Sequence, residues 1–423
     1  MQYKYLVLLN LVVLFTTSIF SQETSKEYIQ KGNDLYDEQK FAEAIESYKM
    51  VSENDSNYHW MLAEMAMTYL AMEKFDSASI TVEKGLVEKS NMRCHLLRTK
   101  GTIYEYTDNT PKSIETYQQA IKEYPYEYLL HYNLGISYLK TEQFSNAQKC
   151  FQEALRCNPY HASSHMQLGK LAARQKQYTR AMLSLETFLA LEPASNRSNP
   201  ILIFIENLSN NYIDTTQGNF IDPIDNNSLF DEIDHYIRAK IVLTSRFPLS
   251  IDFNASLVKQ TKMLMEVLPY KSDEEDFWVQ MYFPFFKAIN EGNHLNPFLY
   301  TLLRSTGQEV VSKYNEKHEK ELDAFYEAGR RLVNIKRSRM ANIIGEPKKY
   351  IFDYYDNGKV YSIGNKNKEG NNDGEWCYFY ANAEKKEEGI YIDGKKSGIW
   401  KYYNDNGVLA KEELYKKGKL IKK

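Results

Sequence analysis

From Cys94 to Ser195 apolar residues recur at the three- and four-residue spacing of helices that bury one face, and short polar turns interrupt them. A longer rhythm is laid over this one. Gly101, Gly135 and Gly169, and likewise Pro125, Pro159 and Pro193, return at an interval of 34 residues. Such regularity predicts short helix-turn-helix units that stack on their neighbours and share one apolar core. It favours a binding scaffold over an enzyme.

The clearest unit is Tyr128 to His161, with Gly135, Tyr138, Phe144, Ala147, Phe151, Ala154 and Pro159 in order. Small residues at Gly135, Ala147 and Ala154 let two antiparallel helices approach, and the aromatic residues fill the space around those contacts. Pro159 suits the start of the next helix, where an N–H is not needed. Cys94 to Glu127 and Ala162 to Ser195 follow the same order, and so do Ser25 to Tyr58 and His59 to Met92 upstream. One residue is inserted between Ala66 and Gly101.

This order of small and large residues resembles the tetratricopeptide repeat family, over residues 25–195 and five units. Ala66 for Gly, Ser113 for Ala and Ala172 for Tyr depart from the family pattern. The resemblance implies a mainly α fold, a right-handed α-α superhelix whose concave face is lined by the first helix of each unit and binds peptides or partner proteins. Carried onto this chain, it assigns protein binding to Tyr36, Arg98, Tyr106, Tyr132, Lys140, Lys170 and Arg174. Four cations in that set imply a partner segment rich in carboxylates, or a C-terminus.

Residues 196–341 carry no motif and read as an all-helical domain that continues the superhelix with degenerate units. Pro284, within the aromatic run Phe277 to Phe286, predicts a kink or a helix boundary. Asp214, Asp222, Asp225 and Asp231 lack the spacing of a calcium loop. His235, His294 and His318 are isolated, and no nucleophile elbow, phosphate loop or zinc motif occurs. The expectation is a protein without catalytic residues, metal or cofactor; an enzyme with an unfamiliar site in residues 228–341 is the weaker alternative.

Composition changes after Gly345-Glu-Pro347, and residues 346–423 form a second repeat. Trp376 and Trp400 are 24 residues apart, as are Tyr354, Tyr378 and Tyr402 and the glycines Gly370, Gly394 and Gly418. Alternating aromatic residues predict strands, and Asn357-Gly358 and Asn406-Gly407 predict tight turns. The run Gly398 to Tyr403 with Asn406-Gly407 resembles the MORN repeat family, which implies a small antiparallel β-hairpin domain and an interaction module. Ala381-Asn382-Ala383 replaces the Asn-Gly pair in the middle unit and Gly358 is reached one residue sooner than Gly407, so the turn types are expected to differ.

Charge adds little, because a net charge of -3 gives no reason to expect nucleic acid as partner. The N-terminus adds more. Lys4 before the apolar run Tyr5 to Phe15 and the small residues Ser18 to Ser21 predict a signal peptide over residues 1–21, or failing cleavage an anchor. Location in the periplasm, or at the periplasmic face of an outer membrane, follows from it. Cys94, Cys150, Cys157 and Cys377 are expected to be buried thiols, since Cys150 and Cys157 lie too far apart on one helix to bridge. The whole chain therefore reads as a scaffold of the cell envelope, with a second partner assigned to the C-terminal sheet. A permanent structural subunit of an envelope assembly is the alternative.

Overall fold

The computed structural model describes residues 24–210, 228–244, 251, 253, 255–270, 276–330, 337–341 and 348–422. The signal peptide and Asp214, Asp222 and Asp225 lie outside the described residues. Among the described residues no helix is long and apolar enough to cross a membrane. The chain divides after Glu88 into two compact bodies.

The first body contains two helical hairpins, α1 (Ser25–Asp37) with α2 (Phe41–Tyr48) and α3 (Tyr58–Ala71) with α4 (Phe75–Leu86). Thr24 opens α1 through a capping box with Glu27. Gly32 lies against the Tyr48 ring so closely that an added Cβ would fall 2.2 Å from Cε1.

The second body begins with three hairpins of the same kind: α5 (Arg93–Tyr106) and α6 (Thr110–Glu123), α7 (Tyr128–Lys140) and α8 (Phe144–Cys157), α9 (Ala162–Arg174) and α10 (Tyr178–Leu191). Gly101 meets Tyr117, Gly135 meets Phe151 and Gly169 meets Leu185. The small residue of each first helix is thus the seat of a large residue on the second. Ser113, which stands where Ala is usual, is buried and lies 3.3 Å from Ser137 Oγ, a polar link between successive units.

Each hairpin turns through a residue of left-handed φ, namely Gln39, Glu73, Asp108, Glu142 and Lys176. In every case the next N–H reaches back to a carbonyl of the first helix, as Lys40 does to Leu35 and Gln143 to Tyr138, at 2.8 Å each. These are Schellman caps, which satisfy the last carbonyls of the helix.

The helices that follow are α11 (Ser198–Ser209), α12 (Asp231–Arg238), α13 (Ser256–Val267), α14 (Phe277–Glu291), α15 (Leu295–Leu302), α16 (Glu309–Lys317) and α17 (Glu319–Arg330). Pro284 sits inside α14 and marks no boundary. The hairpin cap recurs at Asn293, where His294 N–H bonds Ile289 O at 2.9 Å, so α14 and α15 turn as the repeat units do. These helices extend the solenoid by closing around α10, which contacts α11, α12, α14 and α15. Every residue of α10 from Tyr178 to Leu189 is buried. Such a helix has no solvent face, and its polar groups must find partners inside.

Strands β1 (Arg337–Ala341), β2 (Lys348–Tyr354), β3 (Val360–Lys366), β4 (Asn372–Phe379), β5 (Lys385–Ile392), β6 (Lys395–Tyr403), β7 (Leu409–Lys416) and β8 (Lys419–Lys422) form one antiparallel meander. The sheet thus starts at Arg337, ahead of the boundary expected at 346 and inside the stretch read as all-helical. Trp376 lies across Gly364 and donates its indole N–H to Asn365 O at 3.0 Å. Trp400 lies across Gly389 in the same way and donates to Ile390 O at 3.1 Å. The three turns do not differ in type, contrary to the expectation from their sequences. Ala383 takes φ 70° where Gly358 and Gly407 take 82° and 69°, and all three turns close through the same pair of backbone bonds.

The hairpin turns dock on the loops that join the helical units in order, and two side chains also reach the next loop, Lys359 to Glu127 at 3.9 Å and Asn382 to Asn91 O at 3.5 Å. Near the first turn Tyr354 donates to Arg156 O at 2.6 Å and Asn158 to Asn357 O at 3.4 Å. At the second, the Tyr124 hydroxyl donates to Glu384 at 2.8 Å. At the third, Asn91 N–H reaches Asn406 Oδ1 at 3.0 Å and Lys89 reaches Gly407 O at 3.0 Å. Tyr126 adds ring contacts to Phe352 and Phe379 at 5.7 and 5.1 Å. Two strands advance a sheet by about 9.5 Å, and packed helices are spaced by about 8–10 Å. Hairpin and helical unit therefore keep step although their sequence periods differ.

Candidate protein-binding groove

The first helices α5, α7 and α9 carry the expected binding residues of the second body. The 34-residue interval places Tyr106, Lys140 and Arg174 at one helix position and Arg98 with Tyr132 at another. Tyr36 belongs to the first body, where it is half-buried against Phe41 with ring centroids 5.3 Å apart.

These side chains differ in how free they are. Tyr106 is 64% exposed. Tyr132 is half-buried, its ring 4.8 Å from His161 and 5.8 Å from Phe151, so it forms wall and not a projecting anchor. Lys140 is paired with Glu105 at 2.6 Å, and Ser137 also donates to that carboxylate. Arg174 lies over the Phe144 ring at 4.5 Å. Arg98 Nη2 is 3.4 Å from His95 Nδ1. Burial, with Arg98 and Lys359 adding to it, pushes His95 down to about 3, which leaves the ring neutral and able to accept that bond.

Lys170 is the exception. It is half-buried, and makes no ion pair with any described residue. Burial first, and Arg197 second, holds its ammonium below the usual lysine range. Arg197 follows the last unit and was not among the residues expected to bind; its guanidinium bonds Ser163 of α9 at 2.9 Å and pairs with Glu192. The row of first helices thus ends in two cations and one carboxylate.

Two further histidines also escaped the sequence reading. His131 and His165, 34 residues apart, donate through Nε2 to the carbonyls of Pro125 and Pro159 at 2.8 and 2.9 Å. Nδ1 of His165 accepts from Tyr282 at 3.0 Å. Both rings tie the loop before a unit to its first helix. None of the four cysteines forms a disulfide, and Cys94, Cys157 and Cys377 are buried. No group of His, Cys, Asp and Glu among the described residues is arranged to hold a metal ion.

Family models described as tetratricopeptide repeat match residues 100–125 and 132–196. Tetratricopeptide repeats form this part of the chain. Together with the glycine seats under Tyr117, Phe151 and Leu185 and the shared Schellman caps, they account for the hairpins of the second body. The tetratricopeptide fold is one that binds protein partners. No curated protein matches the chain. Among solved structures, Pseudomonas aeruginosa PilF aligns at 17% identity over 44% of this chain and 84% of its own, with TM-score 0.39. PilW, described as a widely conserved type IV pilus biogenesis factor, aligns at 16% identity over 45% and 86%, with TM-score 0.38. MamA aligns at 19% identity over 38% and 94%, with TM-score 0.32. These alignments span less than half of this chain, and its fold assignment rests on its own hairpin geometry.

Proposed function

We propose that this protein is a non-enzymatic interaction scaffold of the cell envelope that holds an extended, carboxylate-bearing segment of a partner along α5, α7 and α9. Lys170 carries the reading. A half-buried ammonium beside a guanidinium, without a carboxylate of its own, gains most from an anionic ligand that supplies the missing charge. Arg98, Tyr106, Lys140 and Arg174 line the same row of helices. A rigid stack of hairpins holds these groups apart before the partner arrives, which lowers the ordering cost of association.

Replacing Lys140, Lys170 and Arg174 together by Ala is expected to lower partner recovery in crosslinking pull-downs from the native envelope about tenfold or more. Unchanged recovery would overturn the reading. Recovery that survives high salt in both forms would instead favour a permanent structural subunit, since a groove held by charge is screened. The envelope location rests on Lys4, Tyr5 to Phe15 and Ser18 to Ser21; N-terminal sequencing of the mature protein tests it. A second partner at the MORN-like sheet would meet the exposed Ile390, Ile392 and Ile399.

A further inference from the structure

The second body holds a cleft of about 700 Å³ where the last tetratricopeptide unit meets the helices that follow it. Leu191, Pro193, Phe285 and Phe325 give it an apolar lining, joined by Tyr160 and Tyr326. It takes in the start of α9 at Ser163, the residue that accepts from Arg197, and Glu192, the residue that pairs with Arg197. The same arginine stands close enough to Lys170 to disfavour its charge. One guanidinium, bonded to two residues that line the cleft, therefore links the cleft to the row of first helices that carries Lys170.

We propose that this cleft is an apolar anchor subsite of the groove, taking one large aromatic or aliphatic side chain of the partner peptide whose carboxylate lies against Lys170 and Arg174. The inference rests on the groove reading above. Volumes of about 300–1,000 Å³ with few polar groups are those that enclose a ligand, and buried aromatic anchors supply most of the affinity of peptide interfaces. A peptide, and not a free amphiphile, fits the layout of charge. Arg98, Lys140 and Arg174 stand on successive units, where a single headgroup engages one and an extended chain passes them all.

Gly329 of α17 provides the test. It lines the cleft in helical backbone, and a Cβ placed there meets only Phe285 Cε2, at 3.9 Å. Gly329→Leu is therefore expected to fold, with a melting temperature no lower than that of the parent, and to fill the cleft. The full chain is panned against phage-displayed random linear peptides, and one enriched sequence is synthesised with a fluorescein label for polarisation titrations. Enriched sequences are expected to pair Asp or Glu with a nearby Trp, Phe or Leu. Gly329→Leu should weaken the labelled peptide about tenfold or more and leave unchanged a version whose aromatic residue is Ala. Lys170→Ala with Arg174→Ala should weaken both versions. Equal affinity in Gly329→Leu, with loss in the lysine-arginine variant, overturns the cleft and keeps the groove. Equal affinity in both variants overturns the groove as well. Peptides without a large apolar residue, together with dodecanoate binding that Gly329→Leu removes, assign the cleft to a free amphiphile and overturn the proposal.

Discussion

Left-handed backbone at Gln39, Glu73, Asp108, Glu142 and Lys176 costs each helical hairpin something, because a Cβ crowds the carbonyl there. Glycine removes that cost. Glu142→Gly, on a turn whose two cap bonds are already made by Glu142 and Gln143, is expected to stabilise the protein by about 1 kcal/mol, as a rise in thermal midpoint. The reverse holds where glycine is a seat. A Cβ at Gly389 would fall 2.5 Å from Trp400 Cδ2, so Gly389→Ala should destabilise by about 1–3 kcal/mol through overpacking, which urea unfolding measures. The two kinds of position were unequally legible. Gly101, Gly135 and Gly169 were visible in the sequence as a row. The left-handed residues, Gln, Glu, Asp, Glu and Lys, keep the repeat interval but have no single side chain in common, and only the backbone shows that each takes the left-handed turn.

At the scale of the helix, α10 is the element on which the fold of the second body turns. Glu186, fully buried within it, accepts from Thr261 at 2.7 Å, and burial pushes its carboxyl up to about 8 from an ordinary 4.5. Between those values the folded chain holds a proton that the unfolded chain has lost. Its stabilising contribution is therefore full below pH 4.5 and lost as pH rises through 8. Asp234, which accepts from the N–H and hydroxyl of Thr179 at 2.6 Å each, is pushed in the same direction, up to about 6. His161 opposes them: burial pushes it down to about 4, so its contribution is lost as pH falls below 6.5. Glu186→Gln should flatten the alkaline side of a stability profile followed by chemical unfolding, by about 1.4 kcal/mol for each pH unit inside that window. An unchanged profile would show that Glu186 gains a counter-charge on ionisation. The apolar character of Tyr178 to Leu191 was legible, but that it would be enclosed on every side was not. Its partners Phe230, Asp234, Thr261 and Trp278 come from segments with no repeat signal to place them.

Over the whole of the second body, the sheet and the tetratricopeptide hairpins are one structure and not two modules on a linker. Tyr126 stands at the joint, in a loop whose sequence position says nothing of Phe352 or Phe379. Tyr126→Ala is expected to cost about 3 kcal/mol. Hydrogen exchange should then show lost protection in α6 and α7 and in β2 to β4 together. Loss confined to the helices would mean that the sheet folds without the solenoid. Among the groove residues, the interval of 34 residues already aligned Tyr106, Lys140 and Arg174. What separates a neutralised Lys140 from an uncompensated Lys170 is Glu105 on one side and Arg197 on the other.

The sequence by itself determined the units of this protein: the order of small and large residues, and the alternation of aromatic residues, are local patterns that specify a helical hairpin and a β-hairpin wherever they occur. Tertiary structure alone decided how those units meet. The docking of each β-turn on a helical loop, the enclosure of α10 and the cleft at the start of α9 depend on the rise per unit in space. Sequence separation does not record that rise, because helix and strand advance by different distances per residue.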